Sequence, residues 1–277
     1  MSADNAFSLS RRSLLATGFA LSVQPVMAET LIHTDAAGLD SGEAVIEAGD
    51  RNIPGYWAAP SAPGTFPTIV VIHEIFGVHE WVKDVCRRLA KSGYFAVAPD
   101  LYVRQGEVVN KPDIDQVLAV VQKVPDSQVM SDIDSTLRWA GGTGKANITK
   151  IGVTGFCWGG REVWLYSAHN PKVNAGVAWY GPLAGTTNEL KPTHPVDIAG
   201  TLTVPVLGLY GGADTGITAD TVDQMRHNLR AGQGSEIIVF PDTPHGFAAD
   251  YRPSYREGPA KDGWKKMLDW FKHHGVG

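Results

Sequence analysis

Residues 151–160 restrict the fold more than any other part of this chain. They read Ile-Gly-Val-Thr-Gly-Phe-Cys-Trp-Gly-Gly, and a helix-compatible run follows from Arg161. A buried strand that passes through Gly-x-Cys-x-Gly into a helix is typical of a nucleophile elbow, in which the nucleophile lies on a sharp, strained turn. Gly155 and Gly159 would let the strand and the helix approach without a Cβ clash. Cys157 is therefore the predicted nucleophile, and it needs an activating partner because the thiolate is the reactive form.

The rest of the chain alternates between strand-like and helix-like runs. Residues 68–73 form a run rich in β-branched side chains, which indicates a strand buried on both faces of a parallel sheet. Further strands are expected at 42–48, 53–59, 93–98, 149–154, 173–179, 204–210 and 235–240, and helices at 81–89, 113–123, 127–140 and about 260–273. The alternation predicts an α/β fold with a mostly parallel central sheet and helices on both faces. The irregular connection at 182–203 is a candidate cover for the mouth of the site.

Size, charge and cysteine content narrow the class of protein. The chain has 277 residues, 43% of them hydrophobic, which fits one globular domain over residues 40–277. Its formal net charge of -5 argues against a nucleic-acid-binding protein, because such proteins usually carry an excess of positive charge. Two cysteines are too few for a disulfide scaffold. Cys86 falls on the apolar stripe of a helical run, so we expect a buried structural thiol that does not pair with Cys157.

The N-terminus has the pattern of an export signal. Arg11 and Arg12 precede a short apolar run that ends in small residues at Ala28. A charged region, a short apolar region and a small-residue cleavage site predict a signal peptide over residues 1–28, and the paired arginines resemble the twin-arginine type. A membrane anchor fits less well because the apolar run is short and is interrupted by Gly18 and Pro25. We therefore expect a periplasmic protein that is not inserted in the membrane; a monomer is expected, and the sequence leaves an oligomer open.

The partners of Cys157 are expected at the ends of later strands. Asp214 follows a strand that ends in Gly-Gly-Ala, and His245 follows the next strand, in Pro-His-Gly-Phe. The order nucleophile, acid, histidine is the one that an elbow in an alternating chain requires. The competing acids lie in the helical run that follows or too close to the histidine in sequence: Asp220, Asp223 and Asp242. No two histidines in the sequence have the spacing of metal ligands together with a third donor residue. Neither a metal nor another cofactor is therefore expected.

A second functional loop, His-Glu-Ile-Phe-Gly, follows the buried strand at 68–73. In such a position the backbone N–H of Ile75 would join that of Trp158 in an oxyanion hole. Glu74 would lie beside Cys157, and burial would raise the pKa of its carboxyl, so that it could hold or accept the thiol proton. A solvent-facing glutamate is the alternative.

Four motifs taken together make the chain resemble the dienelactone hydrolase (carboxymethylenebutenolidase) family from about residue 40 onward. They are His-Glu-Ile-Phe-Gly, Ala-Pro-Asp-Leu-Tyr, Gly-Phe-Cys-Trp-Gly-Gly and Pro-His-Gly-Phe, which begin at residues 73, 98, 155 and 244. The resemblance implies an α/β-hydrolase fold and opening of a dienelactone ring to maleylacetate. It also implies a triad of Cys157, Asp214 and His245, with the thiol paired to Glu74, which takes its proton when substrate binds.

The resemblance extends to substrate binding, with one departure. It places substrate-binding roles on Tyr102 and Arg104, the latter for a substrate carboxylate. Ala249 stands where the family has a second carboxylate-binding arginine, four residues after the histidine, and Arg252 lies three residues further on. Arg252 could reach the site or face solvent, and the departure implies looser recognition of an anionic substrate.

The predicted function is hydrolysis of a lactone or carboxylic ester through a thioester acyl-enzyme on Cys157. A less specific periplasmic carboxylesterase or thioesterase would use the same residues on a neutral acyl group. A binding scaffold or a redox thiol is a third class. A complete triad disfavours the scaffold, and the absence of Cys-x-x-Cys disfavours the redox thiol.

Overall fold

The computed structural model describes residues 32–109, 111–229 and 234–277. The predicted signal peptide at 1–28 lies outside these residues. A single sheet of eight strands runs through the described part: β1 (Leu39–Glu47), β2 (Asn52–Pro60), β3 (Phe66–Ile72), β4 (Phe95–Pro99), β5 (Ala146–Phe156), β6 (Ala175–Trp179), β7 (Val206–Gly211) and β8 (Glu236–Phe240). Their spatial order is β1-β2-β4-β3-β5-β6-β7-β8. β1 and β2 pair in antiparallel fashion, as do β2 and β4, and the remaining pairings are parallel.

Helices connect the strands and cover the sheet. They are α1 (Glu80–Lys91), α2 (Ile114–Val121), α3 (Asp126–Gly142), α4 (Trp158–His169), α5 (Pro195–Ile198), α6 (Ala219–Asn228) and α7 (Glu257–His273). Two glycines of β5 show that helices lie on both faces. A Cβ on Gly152 would meet Phe271 of α7, whereas a Cβ on Gly155 would meet the backbone of Gly159 in α4. Because successive residues of a strand point to opposite faces, α4 and α7 cover opposite sides of the sheet, and the predicted α/β architecture is confirmed.

The central parallel strands form the core, as the apolar runs indicate. Ile69, Val70, Val71 and Ile72 of β3 are all fully buried. Such burial on both faces is the reason that β3 reads as a continuous apolar run, with no polar alternation. Cys86 is also fully buried and free, in agreement with its predicted structural role, and its burial raises the pKa of its thiol well above the ordinary value.

The connection at 182–203 contains α5 and one turn of 3-10 helix at Ala199–Thr201. Arg161 of α4 holds this connection, because its guanidinium donates to the backbone oxygen of Thr193 at 2.8 Å. The same guanidinium donates to both carboxylate oxygens of Asp126, at the start of α3, at 2.7 and 2.8 Å. The connection is thus fastened to the N-terminal ends of two helices.

Candidate active site

Cys157 occupies the sharp turn between β5 and α4 that the motif predicts. Its backbone lies at φ 53° and ψ -118°, a region that non-glycine residues seldom adopt. The turn is held by a hydrogen bond from the Cys157 N–H to the carbonyl oxygen of Trp179, at 3.0 Å. A Cβ on Gly155 or on Gly159 would overlap backbone atoms of α4 or β3, so both positions require glycine. The strained turn therefore fixes the thiol at the carboxyl edge of the sheet.

Asp214 and His245 meet at the same edge. Asp214 follows β7, and its Oδ1 accepts the N–H groups of Gly216 and Ile217 at 2.8 and 3.1 Å. Its other oxygen, Oδ2, lies 2.7 Å from Nδ1 of His245, which follows β8. The three rival acids, Asp220, Asp223 and Asp242, are exposed to solvent. Asp214 is thus the acid that orients the imidazole.

The surroundings of His245 favour the imidazolium. Burial alone would lower the pKa of this imidazole. The charge of Cys157 and hydrogen bonds to Asp214 and Cys157 outweigh that effect and raise the pKa to about 10. The structure therefore brings together Cys157, Asp214 and His245, in an arrangement where a proton from the thiol would be held by the imidazole.

Glu74 lies at the end of β3 and is completely buried, which excludes the solvent-facing alternative. Its Oε2 accepts hydrogen bonds from Nη2 of Arg252 at 2.7 Å and from the hydroxyl of Tyr251 at 2.9 Å. Burial would raise the pKa of this carboxyl, but the charge of Arg252 and the contact with His79 lower it to about 2. The predicted rise in the pKa is wrong because it considered burial without the paired arginine.

Arg252 faces the interior. Its guanidinium lies 4.8 Å from the ring centre of Phe76 and 5.0 Å from that of Tyr251, in addition to its ion pair with Glu74. His79 Nε2 is 3.9 Å from the same Glu74 oxygen, Oε2. The other oxygen, Oε1, has no hydrogen-bond partner among the described residues. Arg252 therefore reaches the site, where it holds one oxygen of Glu74 and leaves the second available.

Arg104 is engaged elsewhere. Its Nε and Nη2 donate to the two oxygens of Asp50 at 2.7 and 2.6 Å, and its Nη1 and Nη2 donate to those of Asp132 at 2.6 and 3.0 Å. These contacts join the β1–β2 turn to α3. The guanidinium predicted to bind a substrate carboxylate is thus already bound to two carboxylates of the protein, and its role in substrate binding stays a prediction.

The remaining predicted residues lie around the elbow. The Gly77 N–H donates to the Glu74 carbonyl at 3.3 Å, which closes a tight turn with Ile75 inside it. Trp158 is the first residue of α4, where a backbone N–H has no carbonyl partner within the helix. Tyr102 is fully buried, with its ring 4.8 Å from that of Trp158. These positions are compatible with the predicted roles in the oxyanion hole and in substrate binding.

Three residues that contact the site did not emerge from the sequence. Tyr251 and His79 surround Glu74, and Tyr180 packs with its ring 5.0 Å from that of His245. Tyr180 follows β6, and the residues after the parallel strands lie at the edge of the sheet that carries the site. Its place directly after a predicted strand could therefore have indicated that it lies near Cys157. Tyr251 adjoins Arg252, but no sequence pattern connects either of them to a residue more than 170 positions earlier.

Two other properties concern cofactors and membranes. Across the described ranges no cluster of three or more histidine, cysteine, aspartate or glutamate side chains could hold a metal ion. None of the helices that the structure describes is sufficiently long and apolar to span a bilayer.

Comparison with known proteins decides the family. The model of the dienelactone hydrolase family matches residues 53–275, which is most of the chain. The chain belongs to the dienelactone hydrolase family. Its eight-stranded sheet is accordingly that of an α/β-hydrolase, and the protein is a carboxymethylenebutenolidase-like hydrolase.

Individual family members are similar over nearly their whole length. A protein of Methylorubrum extorquens named "Putative carboxymethylenebutenolidase" is 58% identical over 274 residues, which cover 97% of this chain and 94% of the relative. A protein of the same name from Salmonella typhimurium is 50% identical, with 94% and 96% covered. The crystal structure of a "Putative Dienelactone Hydrolase" from Klebsiella pneumoniae is 50% identical, with a TM-score of 0.82, and covers 84% of this chain and 98% of its own.

The Arg252–Glu74 pair makes a prediction about stability. Replacing Arg252 by methionine leaves a buried carboxylate without its cation, and we expect a loss of about 3–5 kcal/mol in the free energy of unfolding at pH 7. Because the folded pKa of Glu74 lies below its ordinary value, the stabilisation by Arg252 is present above about pH 4.5 and is lost as the pH falls toward 2. The difference between the two proteins should shrink over that range in urea unfolding experiments. The double variant Arg252→Met, Glu74→Gln should recover much of the loss at pH 7, and equal stability of Arg252→Met and the unaltered protein would contradict this account.

Proposed function

We propose that this family member hydrolyses a lactone or carboxylic ester, of the dienelactone type, through Cys157, His245 and Asp214. The observation that carries the proposal is the placement of His245, which contacts Cys157 on one side and Asp214 Oδ2, at 2.7 Å, on the other. Nucleophile, base and orienting acid in that relation are what covalent acyl transfer requires.

In the acylation step the Cys157 sulfur attacks the carbonyl carbon and forms a C–S bond, while the carbonyl π electrons move to oxygen. The backbone N–H groups of Ile75 and Trp158 stabilise this oxyanion; loss of one such donor typically costs about 10²–10³ in rate. Collapse of the intermediate breaks the ester C–O bond. His245 gives its proton to the departing oxygen, which in a lactone stays attached to the acyl chain.

In the deacylation step water attacks the thioester. His245 takes one proton from that water, the new C–O bond forms, and the C–S bond breaks to release the carboxylic acid and return the sulfur. Asp214 accepts a hydrogen bond from Nδ1 of the imidazole throughout and stabilises its charged form.

The thiol proton, in this proposal, is held by His245 and not by Glu74. Glu74 is bound by Arg252 and Tyr251, and its pKa is lowered to about 2, so it is a poor proton acceptor near neutral pH. Its contribution is then positional, because its ion pair with Arg252 holds the loop after β3 to the loop after β8, which carries His245.

Replacement of the nucleophile tests the proposal directly. In Cys157→Ala we expect kcat for cis- and trans-dienelactone and for 4-nitrophenyl butyrate to fall by about 10⁴- to 10⁶-fold, because no thioester can form. Cys86→Ala is the matched control, since it removes the second thiol, which lies on α1, is fully buried and is outside the site. Steady-state hydrolysis that survives in Cys157→Ala would refute a cysteine nucleophile.

We further propose that residues 1–28 direct export to the periplasm and are then removed. The support is the paired Arg11 and Arg12, the short apolar run and the small residues before Glu29. Fractionation of a native host should find the protein in the periplasm with an N-terminus at or near Glu29. The proposal would be contradicted by a protein that stays in the cytoplasm with its N-terminus at Met1. The double variant Arg11→Lys, Arg12→Lys would then have the same location and the same N-terminus as the unaltered protein.

A further inference from the structure

Residues 32–37, which we call the strap, lie along one face of α1. The helix residues that contact the strap are spaced so that they share this face: Asp84, Arg87, Arg88 and Lys91. Asp84 accepts the N–H of Thr34 at 2.5 Å and its hydroxyl at 3.2 Å. Carbonyl oxygens of the strap accept from the three basic side chains at 3.0, 3.4 and 2.7 Å. Because every strap residue except Thr34 is exposed to solvent, these polar contacts hold the segment more than apolar burial does.

Arg88 joins this face of α1 to the loop after β8. Its Nε donates to Asp84 Oδ2 and its Nη2 donates to Asp250 Oδ2, both at 2.5 Å. Both carboxylates are buried. Burial raises the pKa of Asp250, and the nearby charge of Asp84 raises it further, against the effect of Arg88. Without this guanidinium two buried like charges would lie close together, so Arg88 is what allows the loop to approach α1 here.

Asp250 lies within the part of the loop that serves the site. Directly after His245, the carbonyl oxygen of Gly246 accepts the N–H of Ala249 at 3.1 Å, so this part of the loop is folded on itself. The next residue after Asp250 is Tyr251, whose hydroxyl donates to the buried glutamate of the site at 2.9 Å. A displacement of Asp250 would therefore be passed in both directions, to the imidazole and to the glutamate.

Apolar packing between the loop and its surroundings is incomplete on this side. A cavity of about 300 Å³ opens between the strap, α1, the loop and α7, and its lining includes Ile32, Arg88, Ala248 and Trp264. Side chains that face a cavity lack part of the contacts that would otherwise fix their positions. The ion pair of Arg88 with Asp250 therefore carries more of the connection between the loop and α1 than it would in a fully packed region.

We propose that Arg88 is a positioning residue of the active site. The strap and Asp84 hold its guanidinium, which fixes Asp250 and thereby the loop that presents His245 and Tyr251. The proposal rests on the proposed function, since it concerns the geometry in which that hydrolysis takes place. Arg88 acts through Asp250 and takes no part in making or breaking bonds.

Arg88→Met tests the proposal in the full-length protein with 4-nitrophenyl butyrate. We expect kcat to fall by about 10- to 100-fold with KM within about 3-fold, because small displacements of the reacting groups raise the barrier without removing a substrate contact. Asp250→Asn should also lower kcat, by about 10-fold, because it removes the loop's end of the ion pair. In the Asp250→Asn background, Arg88→Met should cost less than about 3-fold in kcat, because the connection is already lost.

Arg87→Met is the matched control. Arg87 binds the same Asp84 at 3.0 Å and the carbonyl oxygen of Thr34, and its remaining hydrogen bonds go to α1, the strap and β2. It should lower the urea midpoint of unfolding as Arg88→Met does, yet keep kcat within about 3-fold of the unaltered protein.

Two results would overturn the proposal. One is an equal loss of kcat in Arg87→Met and Arg88→Met, which would reflect general loosening of the fold. The other is an Asp250→Asn protein with unchanged kcat, a result that decides the matter even where Arg88→Met does not fold. Failure of the proposed function is a separate outcome, since it would appear as butyrate hydrolysis that survives in Cys157→Ala.

Discussion

A carboxylate buried at the end of β3 must be paired, and the pairing of Glu74 with Arg252 determines how the rest of the site is assembled. The ion pair, at 2.7 Å, connects the loop after β3 to the loop after β8, which also carries His245. Tyr251 strengthens the connection, since its hydroxyl donates to Glu74 and accepts from Arg252. Because an unpaired charge in this position would cost several kcal/mol, the loop that presents the imidazole is held against the loop that presents the proposed oxyanion donor.

The same pair separates the roles of the two candidate proton acceptors. Glu74 is kept ionised by Arg252, whereas His245 lies between Asp214 and Cys157, where its positive form is favoured. Two titratable groups whose surroundings shift their pKa values in opposite directions are a common basis for division of labour in catalysis. In the proposed mechanism the histidine therefore transfers the proton, and the glutamate stays ionised and paired with Arg252.

The sequence predicts the fold and the position of the site more completely than its electrostatics. The buried strand at 68–73 and the elbow at Cys157 have local signatures, and chain order alone selects Asp214 and His245 because parallel strands end at one edge. The partners of Glu74 are 177 and 178 residues away, so the direction of its pKa shift could not be read from its neighbours. The pairing of Arg104 with two acids depends on side-chain geometry in the same way.

Thiol alkylation at pH 6 tests most directly whether His245 takes the proton of Cys157. Iodoacetamide should modify Cys157 with similar rate constants in the unaltered protein and in Glu74→Gln, and His245→Asn should lose at least about 10-fold because the imidazole that takes the thiol proton is absent. The Cys86→Ala background excludes the second thiol. Loss of the pH 6 reactivity in Glu74→Gln, with retention in His245→Asn, would contradict the account.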